Sequence, residues 1–119
     1  MPLMAAAFPI LPGKTAEWRS FAEELNGPRR EEFVESRRRA GVHERTFLQQ
    51  TPTGDIVIVT LEGDDPGHAL GQMMSSSDAF TAWFIDRATA VHGVDPSEKT
   101  SSPPPELVVD TAEVPAPVG

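Results

Sequence analysis

The first feature of the chain is a short apolar run, Pro2–Leu11, which ends at a Pro-Gly turn and predicts a strand buried on both faces. A helix is predicted next, with Thr15 as its N-cap and Gly27 just past its end. Its apolar positions have the i, i+3, i+4, i+7 spacing of one helical face: Trp18, Phe21, Ala22 and Leu25. A second helical segment is predicted over residues 29–40, before Gly41.

Two strands are predicted after these helices, Val42–Gln50 and Asp55–Glu62, with a Thr-Pro-Thr-Gly hairpin loop between them. The second strand contains the run Ile-Val-Ile-Val-Thr-Leu, whose β-branched side chains are typical of a buried strand. Helical segments then start at Pro66 and near Asp78, and Leu107–Val109 is predicted as a last short strand.

The order of these elements is β-α-β-β-α-β, which predicts an α+β fold of the ferredoxin-like type. In this sandwich, a four-stranded antiparallel sheet carries the helices on one face. The length of 119 residues fits one domain. We assign that domain to residues 1–110, with a Pro/Ser-rich linker over 95–105 before the last strand, and assign residues 111–119 to a flexible tail.

The predicted sheet is apolar on both faces, which has a consequence for assembly. Val57, Val59 and Leu61 alternate with Ile56 and Ile58 along one strand, and the first strand is equally apolar on its two sides. Helices on one face leave the other face exposed, and a patch of this size exceeds what a monomer usually tolerates. Burying roughly 600 Å² per chain at ~25 cal/mol per Å² gives roughly 15 kcal/mol before association costs. We therefore expect a two-fold homodimer formed sheet to sheet.

Several segments of the chain resemble the dimeric α+β barrel superfamily: Ile10–Lys14 leading into the first helix, Asp64–Pro66, and Ser77–Phe84. The stretch from Leu25–Phe33 to Asp55–Val59 is similar to an uncharacterised group of small bacterial proteins. The resemblance extends to about Asp110 and implies the ferredoxin-like fold, the dimer and a cavity between sheet and helices. It implies no single reaction, because members of the superfamily include cofactor-free monooxygenases, haem-degrading enzymes, polyketide cyclases, dehalogenases, stress proteins and ligand-binding modules.

The chain carries 10 cationic and 18 anionic side chains, and its net charge of −8 argues against nucleic acid as the main partner. The arginines concentrated in residues 29–45 are interleaved with glutamates, as in a solvated helical face or in one that pairs with an acidic partner chain. The absence of cysteine excludes thiol catalysis, disulfides and iron–sulfur clusters. The apolar N-terminus lacks the basic region of a signal peptide and is too short for a membrane span, so we expect a cytoplasmic protein without a membrane partner.

No cofactor or metal is expected from the sequence. Haem-degrading relatives use an Asn on the first strand with a Trp and a His on the second helix. Here the first strand has no Asn, and Trp83 and His92 lie about 180° apart around the helix axis. Asp64, Asp65 and His68 have a metal-ligand spacing at a helix start, but helix capping explains Asp65 without a metal.

The strongest candidate for acid–base chemistry is His43 with Arg45, because alternation along a strand points both side chains to the same face. Arg45 would hold an anionic group and His43 would move a proton near neutral pH. The same pattern also fits a polar edge-strand face, or an ion pair between subunits with Glu44 or Asp110. A cavity between sheet and helices would be lined by six large side chains: Trp18, Phe21, Phe47, Met74, Phe80 and Trp83.

Two functions follow from these observations. The first is a small-molecule-binding or accessory module, with a cavity between sheet and helices that accepts a hydrophobic molecule. The alternative is a cofactor-independent enzyme of the monooxygenase or cyclase type that acts on a hydrophobic or aromatic small molecule, with His43 and Arg45 as its polar pair. A separate hypothesis concerns the linker over 95–105, whose length would let Leu107–Val109 pair with the sheet of the partner subunit.

Overall fold

The computed structural model describes residues 2–97 and 105–112. It is an α+β domain that contains seven elements in these ranges: β1 (Leu3–Pro9), α1 (Thr15–Asn26), α2 (Arg30–Ala40), β2 (Val42–Thr51), β3 (Gly54–Gly63), α3 (Pro66–Ser75) and α4 (Ala79–His92). All seven were predicted from the sequence, with bounds that differ by a few residues.

The three strands form one antiparallel sheet in the order β1-β3-β2. The central strand β3 pairs with β1 through Ala6↔Val59 and with β2 through Thr46↔Val59. Because β1 and β2 are both antiparallel to β3, they run parallel to each other on either side of it, which is the split arrangement that the order of elements predicted.

The core lies on one face of the sheet, between the strands and the helices. Val57 and Leu61 of β3 are each 2% exposed. Val57 belongs to a cluster with Trp18, Phe21 and Val91, and Leu61 to a second cluster with methionines of α3. The predicted alternation is therefore present in the structure, with the Val57 side of β3 facing the helices.

The opposite face of the sheet, which we call the open face, has no helix packed on it within the described residues. The register places Ala7 of β1, Ile58 of β3 and Phe47 of β2 opposite one another there, with Leu3 and Ala5 further along β1 on the same face. Leu3 and Phe47 are each 52% exposed. Ala7, Ile58 and Phe47 form an apolar strip across all three strands.

The junction between α2 and β2 is tight, and two glycines make it so. Gly41 has φ 74°, the left-handed conformation that closes a helix, and its N–H donates to the carbonyl oxygens of Arg37 and Arg38. A Cβ on Gly63 would lie 2.5 Å from the carbonyl oxygen of Gly41. This close approach packs the junction of α2 and β2 against the end of β3, next to the polar part of the site described below.

The fourth strand is not part of the sheet of this single chain. Residues 105–110 have no regular structure, and Val108 and Val109 are 79% and 76% exposed. The sheet of the described residues therefore has three strands, and the outer edge of β1 has no strand paired to it there. Residues 98–104, which hold most of the predicted linker, and residues 113–119 of the predicted tail lie outside the described residues.

Of the two predicted helix caps, the one at α1 differs in the structure and the one at α3 is as predicted. Lys14 precedes the first helical residue without a side-chain cap, and the Thr15 hydroxyl donates to Asp55 Oδ2 at 2.6 Å instead. At α3, Asp65 caps the helix as expected, since its Oδ1 accepts from the backbone N–H of His68 at 3.1 Å.

Candidate functional site

A cavity of about 630 Å³ lies between the sheet and the helices. Most of its wall is apolar, with contributions from α1, β3, α3 and α4: Trp18, Phe21, Val57, Leu61, Met74 and Phe84. Cavities of roughly 300–1,000 Å³ with a mainly apolar wall and a few polar groups are typical of small-molecule sites.

The polar part of the wall is an ion pair between α2 and β2. Arg37 Nε donates to Glu44 Oε1 at 2.6 Å, and the side chains are 8% and 6% exposed. Alternation along β2 turns Glu44 toward the helices, on the same face as Val42 and Leu48. A buried charge pair of this kind needs further hydrogen bonds to its remaining polar atoms.

These hydrogen bonds are present. Arg37 Nη1 donates to Ser36 Oγ at 3.0 Å, and the Thr46 hydroxyl donates to Glu44 Oε2 at 3.2 Å. The guanidinium carbon of Arg37 lies 4.7 Å and 4.8 Å from the ring centroids of Phe33 and Phe84. Because the arginine is held by an acid, a hydroxyl and two rings, its guanidinium has one fixed position in the cavity wall.

One nitrogen of this guanidinium is available to a ligand. Nη2 of Arg37 has no acceptor among the described residues, where every fully buried side-chain polar atom has a hydrogen-bond partner. Nη2 is therefore reached by solvent, and Arg37 itself lines the cavity.

The cavity opens between α2 and β2. The exposed residues in its wall are concentrated there, with Arg30, Val34 and Arg38 on α2 and Thr46 on β2. Arg30, Val34 and Arg38 are spaced four residues apart, so one stripe of α2 forms a rim of the opening. Within the described residues Arg38 pairs with Glu35, whereas Arg30 has no ion-pair partner.

A histidine lies at the other end of the cavity. His92, the last residue of α4, lines the wall beside Phe8, with a distance of 5.5 Å between the two ring centroids. Phe8 is paired with Val57 and Glu44 with Leu61, four residues further along β3, which is about 13 Å at ~3.3 Å per residue. The cavity therefore has a charged end at α2 and a histidine end at the C-terminus of α4.

The environment of His92 determines its tautomer. Its Nδ1 lies 2.9 Å from the carbonyl oxygen of Pro9. A carbonyl only accepts hydrogen bonds, so Nδ1 carries the proton in the neutral ring, and Nε2 keeps a lone pair that can accept. Burial lowers the pKa of His92 below its ordinary value of 6.5, an effect that the hydrogen bond to Pro9 opposes.

We expect His92 to make stability depend on pH. The unfolded chain binds a proton at this residue at higher pH than the native protein does, so its contribution is complete above about pH 6.5 and decreases as the pH falls toward the native pKa. The free energy of unfolding, measured with urea at pH 7.5 and 5.5, should decrease less for His92→Gln than for the wild type. The exposed His68, replaced in the same way, is the control; equal pH dependence in all three proteins would contradict the assignment.

The residues predicted for acid–base chemistry lie on the open face. His43 and Arg45 are paired with Glu62 and Thr60 of β3, and Arg45 Nη1 is 3.5 Å from Glu62 Oε1. Although it lies on the open face, His43 is also one of the residues that border the cavity, whereas Arg45 is not. Within one chain, His43 and Arg45 thus lie on a polar strand face, which was one of the alternatives to an acid–base pair. Glu44, the acid considered as a partner of Arg45 between subunits, is paired with Arg37 of its own chain.

The six predicted lining residues divide into two groups. Trp18, Phe21 and Met74 line the cavity. Phe47 is on the open face, and Phe80 and Trp83 pack outside the cavity wall, 5.9 Å apart between ring centroids. Their position has a simple reason: the aromatic residues of α4 pack against α1 and α2, with Phe21 5.4 Å from Trp83 and Phe33 6.3 Å from Phe80.

The sequence analysis missed the residues that give the cavity its polar character. Alternation along β2 puts Glu44 on the same face as Val42 and Leu48, and an acid on an apolar face was the available signal for a buried partner. His92 was considered only as a haem ligand. Nothing in its local sequence indicates that its ring contacts Phe8 and Pro9 of β1. Pro9 is 83 residues away from His92 along the chain.

Within residues 2–97 and 105–112, no three His, Asp or Glu side chains come close enough together to hold a metal ion. In the same part of the chain, every helix is too short or too polar to cross a membrane.

The comparisons with known proteins gave no relatives. No protein-family model matches the chain, and neither the search of curated proteins nor the search of solved structures found a match. The interpretation of the site therefore depends on its geometry.

Proposed function

We propose that the protein binds a hydrophobic small molecule in the cavity between its sheet and its helices. The observation that supports this is the volume of about 630 Å³ behind an opening between α2 and β2, with an apolar wall and a small number of fixed polar groups. Interiors are normally close-packed, so a space of this size in so small a domain needs an occupant to account for it.

Filling the cavity should abolish this binding. Ala88 of α4 is 6% exposed and lines the cavity, whereas Ala90 on the same helix is exposed and does not. We expect Ala88→Leu to weaken the binding of the neutral dye Nile red by at least about tenfold, or ~1.4 kcal/mol, and Ala90→Leu to leave it unchanged. Fluorescence titration measures both affinities, and native mass spectrometry of the purified protein identifies any co-purified ligand. Equal affinity of the two variants, or no dye binding by the wild type, would overturn the proposal.

We further propose that two chains assemble through their open faces into the dimeric α+β barrel that the sequence resembles. The apolar strip of Ala7, Ile58 and Phe47, with the exposed Leu3 on the same face, supports this proposal, because a second copy would remove these side chains from water. The strand order β1-β3-β2 is compatible with the ferredoxin-like sheet, in which a fourth strand lies beside β1.

The last apolar segment supports an exchange of strands within this dimer. Leu107, Val108 and Val109 are consecutive and 63–79% exposed, and the outer edge of β1 is unpaired among the described residues. We propose that this segment adds to the β1 edge of the partner subunit.

A cofactor-independent enzyme remains the second candidate, and a different histidine from the predicted one favours it. His92 lines the cavity in a tautomer whose Nε2 can accept a proton from a bound phenol or similar acid. Oxygen uptake or product formation with a phenolic ligand would separate this function from binding alone.

A further inference from the structure

The charges around the cavity contrast with those of the whole chain. The net charge of the protein is −8. Among the described residues that form the cavity, three are arginines, Arg30, Arg37 and Arg38, and the only acid is Glu44. Charges are screened over ~8 Å at physiological salt, so a ligand at the opening is influenced by these neighbours more than by distant acids.

The single acid is not available to a cationic ligand. Oε1 of Glu44 accepts from Arg37 and Oε2 accepts from Thr46. A ligand cation would have to displace an arginine that is 8% exposed and held at 2.6 Å. Two cationic donors, in contrast, have no partner in the described part of the chain. Nη2 of Arg37 has no acceptor there, and Arg30 has no ion-pair partner there.

The guanidinium of Arg37 is also placed in advance. Its contacts with Glu44, Ser36 and the rings of Phe33 and Phe84 fix its plane before a ligand arrives, so binding costs little side-chain entropy. A fixed guanidinium next to an apolar wall favours a group that is both anionic and planar, such as a carboxylate.

We propose that the ligand is an apolar acid, with its carboxylate at the arginine end of the cavity and its hydrocarbon or aromatic body along the wall toward Phe8. This inference rests on the proposed binding function and adds the chemical class of the ligand. Fatty acids and aromatic acids both have this chemistry, and the titration described next distinguishes these two kinds of ligand.

Calorimetric titration of the full-length protein with matched ligands tests the class. Decanoate, decanol and decylamine have the same body and different heads, and 2-naphthoate with 2-naphthol is the aromatic pair. We expect each carboxylate to bind about tenfold tighter than its alcohol, and decylamine to bind most weakly, because a charge-assisted hydrogen bond is roughly twice as strong as a neutral one. Whichever of decanoate and 2-naphthoate binds more tightly indicates whether the ligand is a fatty acid or an aromatic acid.

Two arginine variants test whether the preference for a carboxylate depends on the arginine end of the cavity. Arg30→Gln removes the rim charge and should weaken decanoate binding about three- to tenfold while leaving decanol binding unchanged. Arg87 of α4 is exposed and does not line the cavity, so Arg87→Gln should change neither. Raising the salt concentration should weaken binding of the acid more than that of the alcohol.

The possible failures are distinct. Decanol or decylamine binding as tightly as decanoate would overturn the ligand class and leave the cavity as a binding site. Equal effects of Arg30→Gln and Arg87→Gln on decanoate would also overturn it. No binding of any of the five ligands, together with no binding of Nile red, would instead overturn the proposed function.

Discussion

Replacing Arg37 with Met should lower the free energy of unfolding by about 3–5 kcal/mol, the largest effect we expect from any single substitution. The reason is the partner that remains: Glu44 is 6% exposed, and without the guanidinium its carboxylate would be a buried charge with only Thr46 as donor. Urea denaturation measures the change as a lower transition midpoint with an unchanged m-value.

The double variant and an exposed arginine separate this explanation from simple loss of packing. Arg37→Met combined with Glu44→Met removes both charges, and should recover most of the lost stability, because apolar residues replace buried ion pairs without penalty in many proteins. Arg38→Met is the matched control, since Arg38 is exposed and pairs with Glu35 on its own helix. A single variant as stable as this control would show that the pair contributes little.

Replacing Phe47 with Lys should convert a dimer into a monomer at micromolar concentration. Phe47 is 52% exposed in the single chain and lies at the β2 end of the apolar strip, opposite Ile58 of β3. In the proposed assembly a lysine there would place a charge within the contact between two open faces, where it has no partner. Light scattering should give about twice the chain mass of 12.9 kDa for the wild type and that mass for the variant.

Val34 supplies the control for this substitution. It is 46% exposed, close to the value for Phe47, but lies on α2, away from the open face. Val34→Lys should therefore remain a dimer. A wild type that is monomeric, or a Phe47→Lys variant that stays dimeric, would contradict assembly through the open face.

Much of the fold could be predicted because its signals are local. The alternation in β3 and the i, i+3, i+4 spacing in α1 depend on residues a few positions apart, and the structure contains both elements and the face that each one buries. The open face was also predictable, since Ile58 alternates with Val57 and Val59 and helices cover one side of a sheet.

The last strand shows the limit of such reasoning. Leu107–Val109 has the composition of a strand, yet a strand forms only where another strand supplies hydrogen-bond partners. In the single chain this segment is exposed and irregular. Its sequence contains the preference for pairing but does not specify an edge with which to pair.

The candidate site could be predicted in its apolar part alone. Trp18 and Phe21 reach the cavity because they share the buried face of α1. The Arg37–Glu44 pair and the position of His92 depend instead on how α2 and α4 dock against the sheet, which the spacing of residues along one element does not contain.

The outer edge of β1, which has no paired strand among the described residues, has a consequence for handling the protein. The strand reads Leu-Met-Ala-Ala-Ala-Phe-Pro and carries no charge, so its exposed N–H and carbonyl groups are an open template for any extended chain. On the opposite edge, β2 carries the exposed polar side chains of His43 and Arg45. Aggregation in concentrated solution would therefore begin at β1, where Pro9, which lacks an N–H, protects one end of the strand.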